Sequence, residues 1–121
     1  VITDTGISAT FMGKQITVAA SEISHLEADS KYVFVYYMKT ANNGAVFPTR
    51  LLVSESIAQI LAAFPGLFVR THRAHAVALA KLTCFVKQLD RIYAAVEGSN
   101  RWVPVSRRMY SSIRHLSEML K

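Results

Sequence analysis

Tyr32-Val33-Phe34-Val35-Tyr36-Tyr37-Met38, followed by Asn42-Asn43-Gly44 and Ala45-Val46-Phe47, is the stretch that decides the fold class. Its first part is almost wholly aromatic and β-branched. Such side chains suit the pleated, half-buried surface of a sheet and crowd the preceding turn of a helix. Asn-Gly between apolar runs is a strong hairpin signal, so Ala45-Val46-Phe47 reads as the return strand. The same texture recurs outward from this hairpin. Gly6 to Phe11 and Gln15 to Val18 flank Met12-Gly13-Lys14 as a second hairpin. Phe68 to His72, Leu82 to Val86, Ile92 to Val96 and Trp102 to Val105 read as further strands. Gly98-Ser99-Asn100 supplies the turn between the last two.

Only two segments have helical period. Ser54 is the expected cap of a helix with Ile57, Ile60, Leu61 and Phe64 on its apolar stripe, and Pro65-Gly66 stops it. The other starts after Ser106, with Met109, Ile113, Leu116 and Leu120 facing the core. That stripe puts Arg107, Ser111 and Arg114 on another face. The expected fold is mainly β, with small antiparallel sheets and two short helices in one domain spanning 1–121. The chain begins at Val1 rather than at a methionine, and so reads as a fragment of a longer protein.

Composition narrows the function. With 51% hydrophobic and 18% charged residues, the chain is globular rather than disordered. No apolar run approaches the length of a membrane span, and the N-terminus has no secretory signal pattern. The single cysteine, Cys84, excludes an internal disulfide and fits a reducing, cytoplasmic setting. It lies in an apolar strand and is expected to be a small core residue. The net charge of +6 is uneven: residues 1–60 hold four Lys/Arg against five acids, and residues 61–121 hold ten against three. Seven of those ten are arginine, the better partner for phosphate and base edges. An anionic polymer or surface is the expected partner.

Signals of catalysis are poor. There is no Gly-rich phosphate loop, serine elbow or carboxylate pair in a motif context. His72 and His75 form H-x-x-H, but no third ligand stands at zinc-like spacing. His25 and His115 read as ordinary polar or boundary residues. No enzyme and no cofactor are expected.

Two basic segments stand out, each ending a β-like run. Phe68-Val69-Arg70-Thr71-His72-Arg73 concentrates donors before the chain turns apolar through Ala76-Val77-Ala78-Leu79. His72 in this strand either packs inside or points to a ligand. Val103-Pro104-Val105-Ser106-Arg107-Arg108 places two guanidiniums directly after a serine with the chemistry of a helix N-cap. Cations are disfavoured at a helix N-terminus, so an anion such as phosphate is expected in front of them.

The sequence resembles the LytTR family of bacterial DNA-binding domains, typically the output half of two-component response regulators. The resemblance rests on Ile23-Ser24-His25-Leu26-Glu27-Ala28, the loop Asp29-Ser30-Lys31 and the aromatic strand after it. It continues through the helix at Ser54 to Phe64, F-x-R-x-H-R at Phe68 to Arg73, and P-V-S-R-R at Pro104 to Arg108 before a terminal helix. It covers the chain in order, with two departures: Ala78 replaces the family's usual asparagine, and Ser30-Lys31-Tyr32 replaces Gly-Asn-Tyr.

The resemblance implies an elongated arrangement of small antiparallel sheets whose loops enter successive major grooves. The implied contact edge consists of Asp29, Ser30 and Lys31, the tract His72-Arg73, and the pair Arg107-Arg108. Arg107 is the first choice for reading a base and Arg73 the second, while Lys31, Lys81 and Arg108 are expected on the backbone. The implied partner is double-stranded DNA at promoter sites carrying repeated elements, with room for a homodimer on DNA, no membrane contact and a role in transcription regulation. Two other readings compete. One is a basic protein-interaction or dimerisation module for an acidic partner. The other is a single-stranded nucleic-acid binder using Tyr32, Phe34, Tyr36 and Tyr37.

Overall fold

Turn chemistry sets the strand pairing in the structure, a computed structural model that describes residues 1–116. The chain opens with β1 (Gly6–Phe11) and β2 (Lys14–Ala19), then a 3-10 turn at Ala20–Glu22. β3 (Ile23–Asp29), β4 (Tyr32–Thr40) and β5 (Val46–Val53) follow, then α1 (Ile57–Ala63). β6 (Phe68–His72) and β7 (His75–Ala78) lead through a second 3-10 turn at Leu79–Lys81 to β8 (Leu82–Gln88), β9 (Arg91–Val96), β10 (Val103–Val105) and α2 (Arg107–Ile113).

Three antiparallel sheets result: β1-β2, β10-β9-β8 and the five-stranded β5-β4-β3-β7-β6. The five-stranded sheet is the centre, and alternation along its strands feeds two cores. Leu26, Val35, Leu51, Val53 and Ala76 face the β1-β2 hairpin and α1, where Ile7, Val18, Ile57 and Ile60 complete one cluster. Val77 faces the other way and joins Leu82, Ala94, Val96, Val103, Val105 and Ile113. β7 is therefore covered on both faces at Ala76, Val77 and Ala78, which are all buried.

Several local expectations are corrected. The cap of α1 is Ser56, not Ser54: Ser56 Oγ accepts from the Gln59 amide at 3.1 Å while the Ser56 amide donates to Gln59 Oε1 at 2.8 Å. A capping box needs Gln or Glu three residues on, and Ser54 has Ile57 there. The return strand runs on to Val53 through Pro48, which is tolerated because β5 is a sheet edge. β3 and β7 escape a sequence reading because Ser24 and His25 are buried polar residues and because β7 is half alanine. Cys84 is exposed rather than in the core. A bulge between Leu82 and Cys84 breaks the alternation there. His25 is buried, not a boundary residue. On the last helix Tyr110, Ile113 and Leu116 pack on the second core, so Tyr110 takes the place expected of Met109. Leu120 lies outside the described residues.

A second bulge, between Arg70 and His72, leaves Thr71 out of the β6-β7 ladder. Thr71 is fully buried, and its hydroxyl has no hydrogen-bond partner among the described residues. Such a group bears its desolvation cost without return. Thr71→Val, which exchanges the hydroxyl for a methyl, should raise stability by about 1–2 kcal/mol in urea denaturation. A loss of stability would mean that the hydroxyl is satisfied after all.

Candidate nucleic-acid interface

The Thr71 bulge has a consequence beyond β6. The Thr71 carbonyl, free of the ladder, accepts the Ser106 amide at 2.8 Å and so ties the start of α2 beside the β6-β7 turn. Three residues on, the Ala74 carbonyl accepts the Ala28 amide at 2.8 Å. Ala28 immediately precedes the β3-β4 turn. The turns at Ser30-Lys31 and Arg73-Ala74 and the segment Ser106 to Arg108 thus meet along one edge of the molecule. Three of the segments expected to contact a ligand are brought together.

The central turn is braced by its own side chains. Arg70 Nη2 donates to the Arg73 carbonyl at 2.6 Å, and His72 Nδ1 accepts the Ala74 amide at 3.1 Å. With Nδ1 an acceptor, the neutral ring carries its proton on Nε2. His72 therefore holds the loop through one nitrogen and keeps a donor on the other. Arg73 remains exposed at the tip. The pattern F-x-R-x-H-R acquires a physical meaning: Phe68 anchors the strand in the core, Arg70 and His72 shape the turn, and Arg73 is presented. Arg70 as a brace was not legible in the sequence.

Ser30 sits at φ 60° in the neighbouring turn, a left-handed conformation that favours glycine, and Asp29, Ser30 and Lys31 are all exposed. At the other flank Ser106 Oγ caps α2 by accepting the Met109 amide at 3.1 Å. Arg107 and Arg108 are exposed on the first turn. Arg107 meets an anion within the chain: its Nη2 donates to the Asp90 carbonyl at 3.1 Å and lies 4.0 Å from Asp90 Oδ2. Asp90 belongs to the β8-β9 turn and supplies the negative charge that the helix end lacks. Both side chains are largely exposed, at 76% and 80%, so the pair is easily exchanged for another anion.

Lys81 is elsewhere. Its Nζ donates to the Glu22 carbonyl at 2.9 Å, beside the start of β3, whereas the assembled edge lies at the end of β3. Six strand steps separate them, roughly 20 Å.

Behind this edge two histidines are held neutral. Burial, and then the charge of His75, pushes His25 down to about 4. Its ring stacks on Tyr36 at 4.1 Å, with 9° between the planes. His75 is lowered by burial against the raising effect of Glu27. As pH falls through 6.5, the unfolded chain binds a proton at His25 that the folded chain refuses, so stability drops until about pH 4. The loss should reach about 3 kcal/mol. His25→Phe, which retains a ring against Tyr36, should flatten the stability profile between those limits in urea titrations at successive pH values. Parallel profiles would contradict the assignment.

No curated protein matches the sequence. The fold is similar to that of the LytTr DNA-binding domain of a protein described as a methyl-accepting/DNA response regulator from Bacillus cereus. The TM-score is 0.71 at 20% identity, over 93% of this chain and 95% of that one. The family model for the LytTr DNA-binding domain matches residues 13–118. With nearly the whole chain matched in sequence, and the fold matched in space, the chain belongs to the LytTR family of DNA-binding domains.

Proposed function

We propose that the edge formed by the three turns binds duplex DNA sequence-specifically, as the output domain of a bacterial two-component response regulator acting in the cytoplasm. The observation that carries this reading is the pair of backbone bonds, Ala28 to Ala74 and Ser106 to Thr71, which hold exposed Lys31, Arg73, Arg107 and Arg108 on one side of the chain. Membership of a DNA-binding family and the net charge of +6 support the same conclusion.

Arg73 and Arg107 are assigned to base edges, because bidentate arginine on guanine is the commonest specific contact. Lys31 and Arg108 are assigned to phosphates, with Asp29 and Ser30 shaping the loop that carries Lys31. His72 offers its Nε2 proton while its other nitrogen holds the turn. On binding, Arg107 leaves Asp90, an exchange that costs little because an exposed pair contributes only about 0–1 kcal/mol. Lys81, bound to the Glu22 carbonyl at the far end of β3, is left out of the contact set. Promoter sites with repeated elements, and two copies on one DNA, fit a single domain with one reading edge. Of the four rings proposed for the single-stranded alternative, Tyr32 is exposed but the other three are engaged within the chain. Tyr36 is stacked on His25, the Phe34 ring lies under the Arg50 guanidinium at 4.3 Å, and Tyr37 packs against the first core.

Duplexes selected from a random pool provide the test. Arg107→Ala should cost about 1–3 kcal/mol on the selected site and relax preference at one base position. Lys31→Ala should weaken all duplexes alike and lower the salt slope by about one. Lys81→Ala should leave binding unchanged. Selection that yields no preferred sequence, or an Arg107→Ala variant with full specificity, would contradict the reading.

A further inference from the structure

The second face of the five-stranded sheet is covered only in part. β8, β9 and β10 cover its β6-β7 side, where Val69 and Val77 pack. The β3-β4-β5 side carries His25, Glu27, Tyr36 and Arg50, and opposite it runs the loop from β9 to β10 with Arg101 and Trp102. Between them lies a cleft of about 370 Å³, a size usual for small-molecule sites.

The polar groups of this cleft are ordered across the strands. Arg50 on β5 is in register with Tyr36 on β4, and Tyr36 with His25 on β3, two residues from Glu27. Glu27 is in register with Phe34, over whose ring the Arg50 guanidinium lies at 4.3 Å, so a guanidinium from β5 and a carboxylate from β3 flank the Phe34 and Tyr36 rings of β4. The Tyr36 hydroxyl donates to Glu27 Oε1 at 3.3 Å. Glu27 Oε2 faces only His75 Nδ1, too far at 3.9 Å for a hydrogen bond, and that nitrogen is buried without a partner. Arg50 and Arg101 form no ion pair among the described residues. Trp102 on the opposite wall is 48% exposed, unusually open for the chain's largest side chain. Two guanidiniums without a carboxylate partner (Arg50 resting on the Phe34 ring), one carboxylate oxygen without a donor, and the Tyr36 and Trp102 rings in the lining describe a complementary molecule. It is flat, anionic at one end and a hydrogen-bond donor at the other.

We propose that the cleft binds a small hydroxy-substituted aromatic carboxylate. Its ring lies between Tyr36 and Trp102, its carboxylate meets Arg50 and Arg101, and its hydroxyl donates to Glu27 Oε2. Two guanidiniums against one carboxylate leave a single positive charge, which a monoanion neutralises. The hydroxyl supplies the donor that Glu27 Oε2 lacks, and para substitution sets it opposite the carboxylate. The site lies behind the proposed DNA-reading edge, next to it at Glu27 and His75, and its argument does not rest on that edge.

Trp102 is the chain's single tryptophan, so its indole N–H resonance reports on this cleft alone. Titration of the whole chain with 4-hydroxybenzoate should shift that resonance saturably, with a Kd of about 1 mM or below. Benzoate, which lacks the donor, and 4-hydroxybenzamide, which lacks the charge, should each bind at least about fivefold more weakly. The double variant Arg50→Met/Arg101→Ala alters only exposed side chains, and should lose at least about tenfold in affinity for 4-hydroxybenzoate. No saturable shift up to about 20 mM would overturn the proposal. Equal affinity for the charged and uncharged probes, or full affinity in the double variant, would overturn it as well.

Discussion

Everything at the proposed reading edge depends on two carbonyls three residues apart on one short stretch of backbone. Thr71 accepts from Ser106 and Ala74 accepts from Ala28. The Ala74 bond extends the β3-β7 register one step past the end of β7, the Thr71 bond lies outside any ladder, and each reaches a different part of the chain. The first exists because a bulge removes Thr71 from the pairing of β6 with β7. Without that extra residue the Thr71 carbonyl would be used within the sheet, and α2 would lose its point of attachment beside the turn. The buried, unpartnered Thr71 hydroxyl accompanies that bulge. A local departure from ideal packing is retained where three otherwise separate turns are joined.

The electrostatics follow from the same assembly. Seven residues are proposed for this edge, and two of them, His72 and Arg107, are engaged within the chain. Arg70 and His72 serve the turn, and Arg107 rests on Asp90. The helix-end arginines therefore do not stand unopposed, as their position in the sequence would suggest. An exposed, weak ion pair keeps Arg107 in place without binding it tightly, which is what the proposed exchange for a phosphate or a guanine edge requires. The rigid part of the edge is built from backbone hydrogen bonds, and the exchangeable part from surface charge.

Much of the fold was legible. The aromatic strand at Tyr32, the Asn-Gly turn and the Ser106 cap of the second helix announce themselves through local chemistry. The two basic segments stood out by residue type, whereas the loop Asp29 to Lys31 entered only through the family resemblance. What escaped was long-range or irregular. Asp90 lies 17 residues from Arg107, and no spacing rule connects a hairpin tip to a helix end. Lys81 looks like another surface cation until the fold carries it to Glu22, 59 residues away. The alternation expected for Phe68, Arg70 and His72 fails at a bulge that no residue in that stretch signals, since neither glycine nor proline marks it. Ser56 is the instructive case. Its capping partner Gln59 was present in the sequence, and an eye for the i, i+3 pair would have found it.

The central claim is that three separate turns act as one DNA-reading edge because backbone hydrogen bonds hold them together. Amide chemical-shift mapping with a selected duplex tests it directly. The account predicts that Ser30 and Lys31, Arg73 and Ala74, and Arg107 and Arg108 shift together along one titration curve, while Glu22 and Lys81 stay still. Shifts centred on the Glu22–Lys81 end, or confined to one of the three turns, would contradict it.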